Sequence, residues 1–416
     1  MKIDRDTPKA EAVGEVRAWV DENVPRAWTE AGRRGGAAAV RAVRPRAEYE
    51  SWYPVFAASG LVVPTWPVPF GGLDLSPEVA RAVDAELRPF NLGRLNPLGL
   101  NNTAPALYSF GSEEQRLRFL PPMVRNEEKW CQLFSEPGAG SDLASLACRA
   151  ERDGDSWCVT GQKVWSTWAH FSDFAILLAR TDADAPKRQG ITYFLLDMHQ
   201  PGVDVRPLRH IGGEVEFNEV FLDGAIVPDE YRVGEVGQGW KVANATLSGE
   251  RQMVSGGSSG GVDRIGGRGV EHLLELARAS GRDRDPVVRD RLMRVLSEER
   301  VRDWTNQRTR AQVKAGRAPG PESSVGKVHQ GELNQRIQLL ATDLLGVDAM
   351  AWPGAADESP RRDLPLEVRG MLRSRANTIE GGTTEVNKNI IGERVLGLPR
   401  EPDPWQGAPW REVPRS

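Results

Sequence analysis

The chain has 416 residues, enough for two or three hydrophobic cores, because domains usually span about 100 to 200 residues. It is 39% hydrophobic, with a formal net charge of -4 and no basic tract, so neither nucleic acid nor an anionic membrane is favoured as a partner. Three cysteines without a CxxC pair or a His/Cys cluster indicate neither a disulfide framework nor a metal site. With no apolar signal-peptide region and no membrane-spanning run, we expect a cytoplasmic protein.

Residues 1–125 are predicted to form a helical domain. Ser76, which stands before a proline, has the pattern of an N-cap residue followed by the first helical position. Ser112 and Gln115 have the spacing of a capping box, which predicts the start of another short helix. Pro121 and Pro122 are expected to end that helix, because proline lacks the backbone N–H that a helix interior needs.

Residues 126–232 are predicted to form a β domain, because the period of the apolar pattern changes after Trp130. The strand-like runs are residues 147–152, 157–164, 175–180, 191–197 and 215–222. The first two runs flank Asp153-Gly154-Asp155, a hairpin signal. The last run is expected to end at Asp223-Gly224, which also has the composition of a turn.

Residues 233–400 are predicted to form a four-helix bundle. Helical periodicity returns there in residues 273–278, 287–315, 325–345 and 385–396. The tail, residues 401–416, is rich in proline and tryptophan and cannot continue a helix, so we expect it to wrap a neighbouring chain. The predicted fold class is α+β.

Two stretches of the β domain have the composition of a ligand site. Residues 131–142 read CQLFSEPGAGSD, in which small residues allow close approach of the backbone and Ser135 and Ser141 supply hydroxyl groups. Residues 161–168 read GQKVWSTW, in which Trp165 and Thr167 would face one side of a strand. By itself the first stretch is more often an ordinary Gly/Pro turn, but the two stretches together favour a flat heterocyclic cofactor.

Both stretches resemble the flavin signatures of the acyl-CoA dehydrogenase family. Further matches follow in order, at residues 110–123, 227–240, 247–251 and 380–400, so the resemblance spans nearly the whole chain. It implies an N-terminal helical domain, a middle β-barrel or sandwich domain and a C-terminal four-helix bundle. It also implies FAD as cofactor, an acyl-CoA as substrate, a trans-2-enoyl-CoA as product and an electron-transferring flavoprotein as electron acceptor.

The resemblance also assigns residues to the site. It implies isoalloxazine contacts for Leu133, Ser135, Trp165 and Thr167. Ser141 would lie near phosphate or pantetheine, and Arg251 and Gly381 would contact the substrate. Thr383 and Glu385 open the last predicted helix, which in the family contacts the dinucleotide half of FAD; a plain N-cap at Thr383 or Thr384 fits the same pattern.

Two glutamates are candidates for the catalytic base. Glu250 is spaced three and four residues from Leu247 and Val254, which places it on the apolar face of a predicted helix, where a carboxylate is desolvated. Some family members carry their base in this LxxER context, and we therefore favour Glu250. Glu380 is the alternative, although it lies three residues before Thr383, whereas many family members place the base two residues before that threonine.

The chain departs from the family pattern where a homotetramer would complete the flavin site of a neighbouring subunit. The expected Arg-x-x-Phe-Gly segment is replaced by ARASG at residues 277–281, and the expected Gly-Gly-x-Gly by LLGV at residues 344–347. This pattern is similar to the heteromeric acyl-CoA dehydrogenases of actinobacterial sterol degradation. Two alternatives to a self-sufficient dehydrogenase therefore stay open: a non-catalytic partner subunit, and a flavin oxidase or monooxygenase on the same fold.

Overall fold

A computed structural model describes residues 3–254, 269–315, 320–350 and 364–414, with side chains in the seventh helix described as far as Leu247. The first part of the chain is helical. Its helices are α1 (Lys9–Asn23), α2 (Arg26–Val43), α3 (Arg46–Ala58), α4 (Pro77–Leu87), α5 (Ala104–Phe110) and α6 (Glu113–Val124). A π-helical turn, Gly99–Thr103, precedes α5 and packs against the seventh helix and the first strand.

The predicted caps of the N-terminal helices are confirmed. Ser76 accepts a hydrogen bond from the Val79 backbone N–H at the start of α4. Ser112 and Gln115 form both hydrogen bonds of a capping box at the start of α6. The predicted end of α6 was wrong, because the helix continues through both prolines to Val124. Phe119 and Met123 are buried on either side of the prolines, so core packing outweighs the lost backbone donors.

The middle of the chain forms one eight-stranded sheet. Its strands are β1 (Trp130–Leu133), β2 (Arg149–Asp153), β3 (Ser156–Lys163), β4 (Phe174–Arg180), β5 (Ile191–Asp197), β6 (Val203–Leu208), β7 (Phe217–Pro228) and β8 (Arg232–Val233). The order is β6-β7-β3-β2-β4-β5-β8, and β1 pairs with β4 in parallel. Side chains from β1 to β5 and from β7 share one core, and the other faces of β1, β4 and β5 pack against the helical part of the chain.

One turn signal in this sheet marks a hairpin and another marks a bulge. The predicted hairpin is confirmed, since Asp153 pairs with Ser156 across a two-residue turn. The predicted end of a strand at Asp223-Gly224 was wrong, because β7 continues to Pro228. Val159 pairs with Ala225 and the next residue of β3 pairs with Asp223, so Gly224 is the extra residue of a bulge. Its φ of 71° is a conformation that glycine adopts without strain.

The last part of the chain is a helical bundle. Its helices are α7 (Gly239–Val254), α8 (Gly269–Ala279), α9 (Pro286–Lys314), α10 (Ser323–Leu345), α11 (Leu366–Ser374) and α12 (Thr384–Ile390). Helix α10 packs against the other five and supplies Leu333, Ile337 and Leu340 to the core of the bundle. The predicted α+β fold with helical, β and helical parts in that order is confirmed. No helix among the described residues is long and apolar enough to cross a membrane.

The C-terminal tail folds back onto its own chain. The Trp410 and Arg411 backbone N–H groups donate to carbonyl groups of Ala185 and Ala183, in the loop after β4. The Trp410 side chain is only 8% exposed. Residues 408–413 therefore pack against their own middle sheet, and contact of the tail with a neighbouring chain stays a prediction.

An acid-sensitive ion pair connects the turn after β7 to β8. Asp229 accepts hydrogen bonds from Arg232 Nε (2.9 Å) and from Trp157 Nε1 (2.7 Å), and chiefly the Arg232 bond lowers the pKa of its carboxyl to about 2. Because this folded-state pKa lies below the unfolded value near 4, the stabilisation is complete above pH 4 and is lost as the pH falls towards 2.

We therefore expect Asp229→Asn to flatten the acid limb of the stability curve between about pH 4 and pH 2, measured by urea denaturation at a series of pH values. Asp153→Asn, at an exposed position of the same sheet, is the control and should leave that limb unchanged. Equal acid limbs in the parent protein and in Asp229→Asn would contradict the assignment.

Candidate active site

The two signature stretches lie side by side. The Val164 backbone N–H donates to the Ser135 carbonyl group at 3.0 Å, which joins the end of β3 to the segment after β1. Glu136 and Ala139 exchange two backbone hydrogen bonds around Pro137-Gly138, which makes this segment a tight turn. Cβ atoms built at Gly138 and Gly140 would meet nothing within 4 Å, so the space in front of the turn is open.

A buried ion pair holds the two stretches together. Lys163 is 0% exposed and its ammonium group lies 2.8 Å from the Glu136 carboxylate. Lys163 also donates to the Phe134 carbonyl group, and Glu136 accepts the backbone N–H groups of Ala147 and Cys148. We did not predict this pair from the sequence, although a lysine at an inward position of β3 was a signal, because a buried charge requires a partner.

Trp165 presents its ring to solvent from a strained turn. We predicted that Trp165 and Thr167 lie on one strand. This prediction was wrong, because β3 ends at Lys163. Its φ is 61°, a left-handed conformation that is unfavourable for a bulky residue, and it is 54% exposed. The ring packs edge-to-face on Phe217 with centroids 5.6 Å apart. A strained and exposed aromatic ring indicates a stacking partner that is not part of this chain.

The turn that carries Trp165 and Thr167 is fixed to β7. The Ser166 and Trp168 backbone N–H groups donate to carbonyl groups of Asn218 and Glu216. The Asn218 side chain donates to the Ser166 carbonyl group, and its Oδ1 lies 3.1 Å from His170 Nδ1. These contacts explain how the strained turn is maintained, and they give His170 a structural hydrogen bond.

The side chains of β1 point in opposite directions, which affects one predicted cofactor contact. Leu133 is 0% exposed and packs in the core of the middle sheet, so only its backbone can reach a cofactor. Gln132 faces the helical part of the chain, where its Oε1 accepts a hydrogen bond from Asn102 at 3.0 Å. The alternation of β1 therefore makes Gln132, which was not among the predicted contacts, the better side-chain candidate.

Ser141 is exposed and stands beside a fixed carboxylate. The neighbouring Asp142 accepts hydrogen bonds from Ser145 Oγ at 2.5 Å and from Lys187 Nζ at 2.6 Å. Burial raises the pKa of the Asp142 carboxyl, but these hydrogen bonds outweigh burial and leave the pKa below its usual value. Asp142, the residue next to the predicted ligand contact Ser141, is therefore an ionised carboxylate that two hydrogen bonds hold in place.

Glu380 is held in an ion-pair network. Arg373 donates to both of its carboxylate oxygens, at 3.2 and 2.9 Å, and Asn377 donates at 3.1 Å. The Nε of Arg373 donates to Glu216 at 3.0 Å, and its guanidinium group lies 5.7 Å from the centre of the Phe217 ring. Arg373 therefore connects the segment before α12 to the turn that bears Trp165.

The segment after Glu380 makes a tight entry into α12. Gly381 and Gly382 have φ values of 64° and 86°, conformations that favour glycine. Thr383 caps α12 by accepting the Val386 backbone N–H, as predicted, and Glu385 lies in the first turn. Cofactor contacts of Thr383 and Glu385, and a substrate contact of Gly381, stay predictions.

Glu250 and Arg251 lie in the last turns of α7. Their side chains are outside the described residues, so their roles as base and substrate contact stay predictions. The earlier part of α7 packs against α5 and against the π-helical turn Gly99–Thr103. Since that turn also contacts β1, the helix that carries Glu250 and the strand that leads into the first signature share a neighbour.

Comparison with known families assigns the chain. Residues 10–127 match the family model described as acyl-CoA dehydrogenase, N-terminal domain, residues 131–224 match the middle domain, and residues 237–396 match the C-terminal domain. The chain belongs to the acyl-CoA dehydrogenase family. It is thus an acyl-CoA dehydrogenase, an oxidoreductase with FAD as cofactor, and our sequence-based predictions of family, enzyme class and cofactor are confirmed.

Individual relatives cover almost the whole chain. The acyl-CoA dehydrogenase IpdE1 of Mycobacterium tuberculosis is 38% identical over 395 residues, which is 93% of this chain and 97% of that protein. Among solved structures, the Tcur3481-Tcur3483 steroid ACAD is similar with a TM-score of 0.70, 26% identity and coverage of 96% and 100%. The ChsE4-ChsE5 complex from M. tuberculosis is similar with a TM-score of 0.68, 25% identity and the same coverage.

The described residues fit FAD. The exposed Trp165 ring offers a stacking surface, and the open turn at Gly138 and Gly140 lets backbone N–H groups approach polar atoms of a cofactor. The Ser166 Oγ, in the turn that carries Trp165, is buried without a hydrogen-bond partner, which is consistent with a site that a polar ligand completes. Ser135, Trp165 and Thr167 are therefore the side chains that we expect to hold the ring system.

Proposed function

We propose that this chain catalyses the α,β-dehydrogenation of an acyl-CoA thioester to a trans-2-enoyl-CoA, with Glu250 as the base. Bound FAD supplies the acceptor for the hydride that leaves Cβ. The Glu250 carboxylate takes the proton from Cα, and Trp165 and Ser135 orient the ring system against the substrate. An electron-transferring flavoprotein would then take the electrons, and Ser141, Arg251 and Gly381 would hold the substrate.

The observation that carries the choice of base is the network around Glu380. Both carboxylate oxygens of Glu380 accept hydrogen bonds from Arg373, and one of them also accepts from Asn377, so this carboxylate is engaged in a structural ion-pair network. Glu250 has the apolar helical spacing that raises the basicity of a carboxylate. This contrast supports Glu250 over Glu380.

A second candidate function is that of one subunit in a heteromeric dehydrogenase. Two similar solved structures carry the names of two chains each, Tcur3481-Tcur3483 and ChsE4-ChsE5. In this chain the segment ARASG, residues 277–281, spans the end of α8 at Ala279. These features support a shared flavin site. Because the first of these structures is a steroid ACAD, steroid-derived acyl-CoAs are the first substrates to test.

The visible spectrum of the purified protein, before and after anaerobic addition of acyl-CoAs, tests the proposal. We expect close to one FAD per chain and bleaching of the flavin band by at least one straight-chain or steroid-derived acyl-CoA. Little flavin, or bleaching only after a second subunit is added, would favour the heteromeric alternative. Rapid reoxidation by oxygen with hydrogen peroxide as product would favour a flavin oxidase and contradict the dehydrogenase proposal.

A further inference from the structure

The C-terminal segment of residues 408–413, here called the strap, binds along the loop between β4 and β5. Two backbone hydrogen bonds join the strap to this loop, and Pro409 forms a bridge with Pro186. Arg411 adds an ion pair with Asp184 at 2.8 Å. The strap is therefore attached through its backbone and through a charge pair, and not only by apolar contact.

Trp410 is the anchor of the strap. Its ring lies over the guanidinium group of Arg180, 4.2 Å from the ring centre to Cζ, and its Nε1 donates to the Ser145 carbonyl group at 3.3 Å. Both side chains are buried, with 8% exposure for Trp410 and 4% for Arg180. A desolvated cation–π contact of this kind contributes more than an exposed one.

Arg180, the partner of Trp410, also donates hydrogen bonds to two separate segments of the chain. Its Nε and Nη2 donate to the carbonyl groups of Leu146 (3.0 Å) and Ala144 (2.7 Å), in the short turn after the first signature stretch. Its Nη1 donates to the Lys187 carbonyl group at 3.1 Å, in the loop that the strap covers. The guanidinium group thus sets the distance between these two segments.

Asp142 lies between the same two segments. It accepts hydrogen bonds from Ser145 on one side and Lys187 on the other, and Ser141 precedes it. A change in the spacing of the two segments would therefore move Asp142 and the hydroxyl group of Ser141. The strap, Arg180 and Asp142 form one connected set of contacts behind the exposed edge that carries Ser141.

We propose that Trp410 is a positioning residue for this edge: through Arg180 it holds Ser141 and the loop bearing Lys187 in the arrangement that binds the polar part of an acyl-CoA. The role in substrate binding rests on the proposed function, whereas the role in ordering the two segments does not. Trp410 itself contacts no reacting atom.

Three variants test the proposal. Trp410→Ala removes the stacking ring and the indole donor, a chain ending at Gln406 removes the whole strap, and Trp410→Phe keeps a ring but loses the donor. Trp405→Ala is the matched control, because Trp405 lies in the same tail but is 44% exposed. All are measured on the purified chain with its flavin, with any required second subunit present.

In Trp410→Ala and in the truncated chain, we expect backbone amides of residues 143–148 and 181–190 to exchange hydrogen at least about tenfold faster, with little change elsewhere. We also expect KM for the acyl-CoA to rise about fivefold or more while kcat changes less than about twofold, because a binding surface is disturbed and not the chemical step. Trp410→Phe should lie between the parent and Trp410→Ala. A synthetic peptide of residues 404–416 should restore the truncated chain.

Unchanged exchange in those two segments, or equal effects in Trp405→Ala, would overturn the proposal. If exchange rises as expected but KM is unchanged, the strap orders the loop without positioning substrate, and the proposal fails in its substrate part. If no acyl-CoA reduces the parent protein, the proposed function fails, and hydrogen exchange with peptide rescue still decides the structural part.

Discussion

Glu250→Gln is expected to slow flavin reduction by an acyl-CoA about 10²- to 10⁴-fold, the range that a positioned general base contributes. Glutamine keeps the size of the side chain but cannot accept the Cα proton. Flavin content and thermal stability should stay close to those of the parent, since the substitution removes a charge from a helix without changing its length. Anaerobic stopped-flow spectroscopy at the flavin band measures the rate directly.

Glu380→Gln is the matched comparison and should behave differently. It weakens the hydrogen bonds from Arg373 and so disturbs the connection to Glu216 and to the turn bearing Trp165. We expect lower stability and weaker flavin retention, with flavin reduction in the loaded protein within about tenfold of the parent. If Glu250→Gln reduces flavin as fast as the parent and Glu380→Gln does not, the two assignments are reversed.

Lys163→Met is expected to lower the free energy of unfolding by about 3 to 5 kcal/mol, the usual effect of leaving a buried charge without its partner. The Glu136 carboxylate would keep two backbone donors but lose the ammonium group at 2.8 Å, in a site where both side chains are almost completely buried. Urea denaturation followed by far-UV circular dichroism provides the measurement.

A double substitution tests whether the loss of stability comes from the unpaired buried charge. Glu136→Gln with Lys163→Met should be less destabilising than the sum of the two single changes, because no unpaired buried charge is left. The control is Lys9→Met in the exposed pair of Lys9 and Glu78, which should change stability by less than about 1 kcal/mol. A loss below about 1 kcal/mol in Lys163→Met would contradict a structural role for the buried pair.

The local elements were predictable because their signals act between close neighbours. The caps at Ser76 and Ser112 use residues three positions apart, and the hairpin at Asp153 needs only a two-residue turn. The errors arose where distant packing competed with a local signal. Helix α6 passes through Pro121 because buried side chains hold both ends, and Gly224 forms a bulge because β3 provides a partner on either side of it.

The candidate site was predictable in its composition but not in its geometry. Ser135, Ser141 and Trp165 could be named from the signatures, yet the presentation of Trp165 from a left-handed turn depends on β7, which lies some fifty residues further along the chain. The orientation of β1, which buries Leu133 and presents Gln132, follows from its pairing with β4. The alternation of side chains along a strand assigns residues to its two faces only where the ends of the strand are known.

The sequence alone determined the family, the order of helical, β and helical parts, the cofactor and the two candidate bases, because each is written in short ordered motifs. The tertiary structure alone decided which charges meet. It paired Glu136 with Lys163, bound Glu380 to Arg373 and brought Trp410 onto Arg180 across more than two hundred residues. The spacing of these partners along the chain, from seven residues to more than two hundred, follows no common pattern, since only the folded chain brings them into contact.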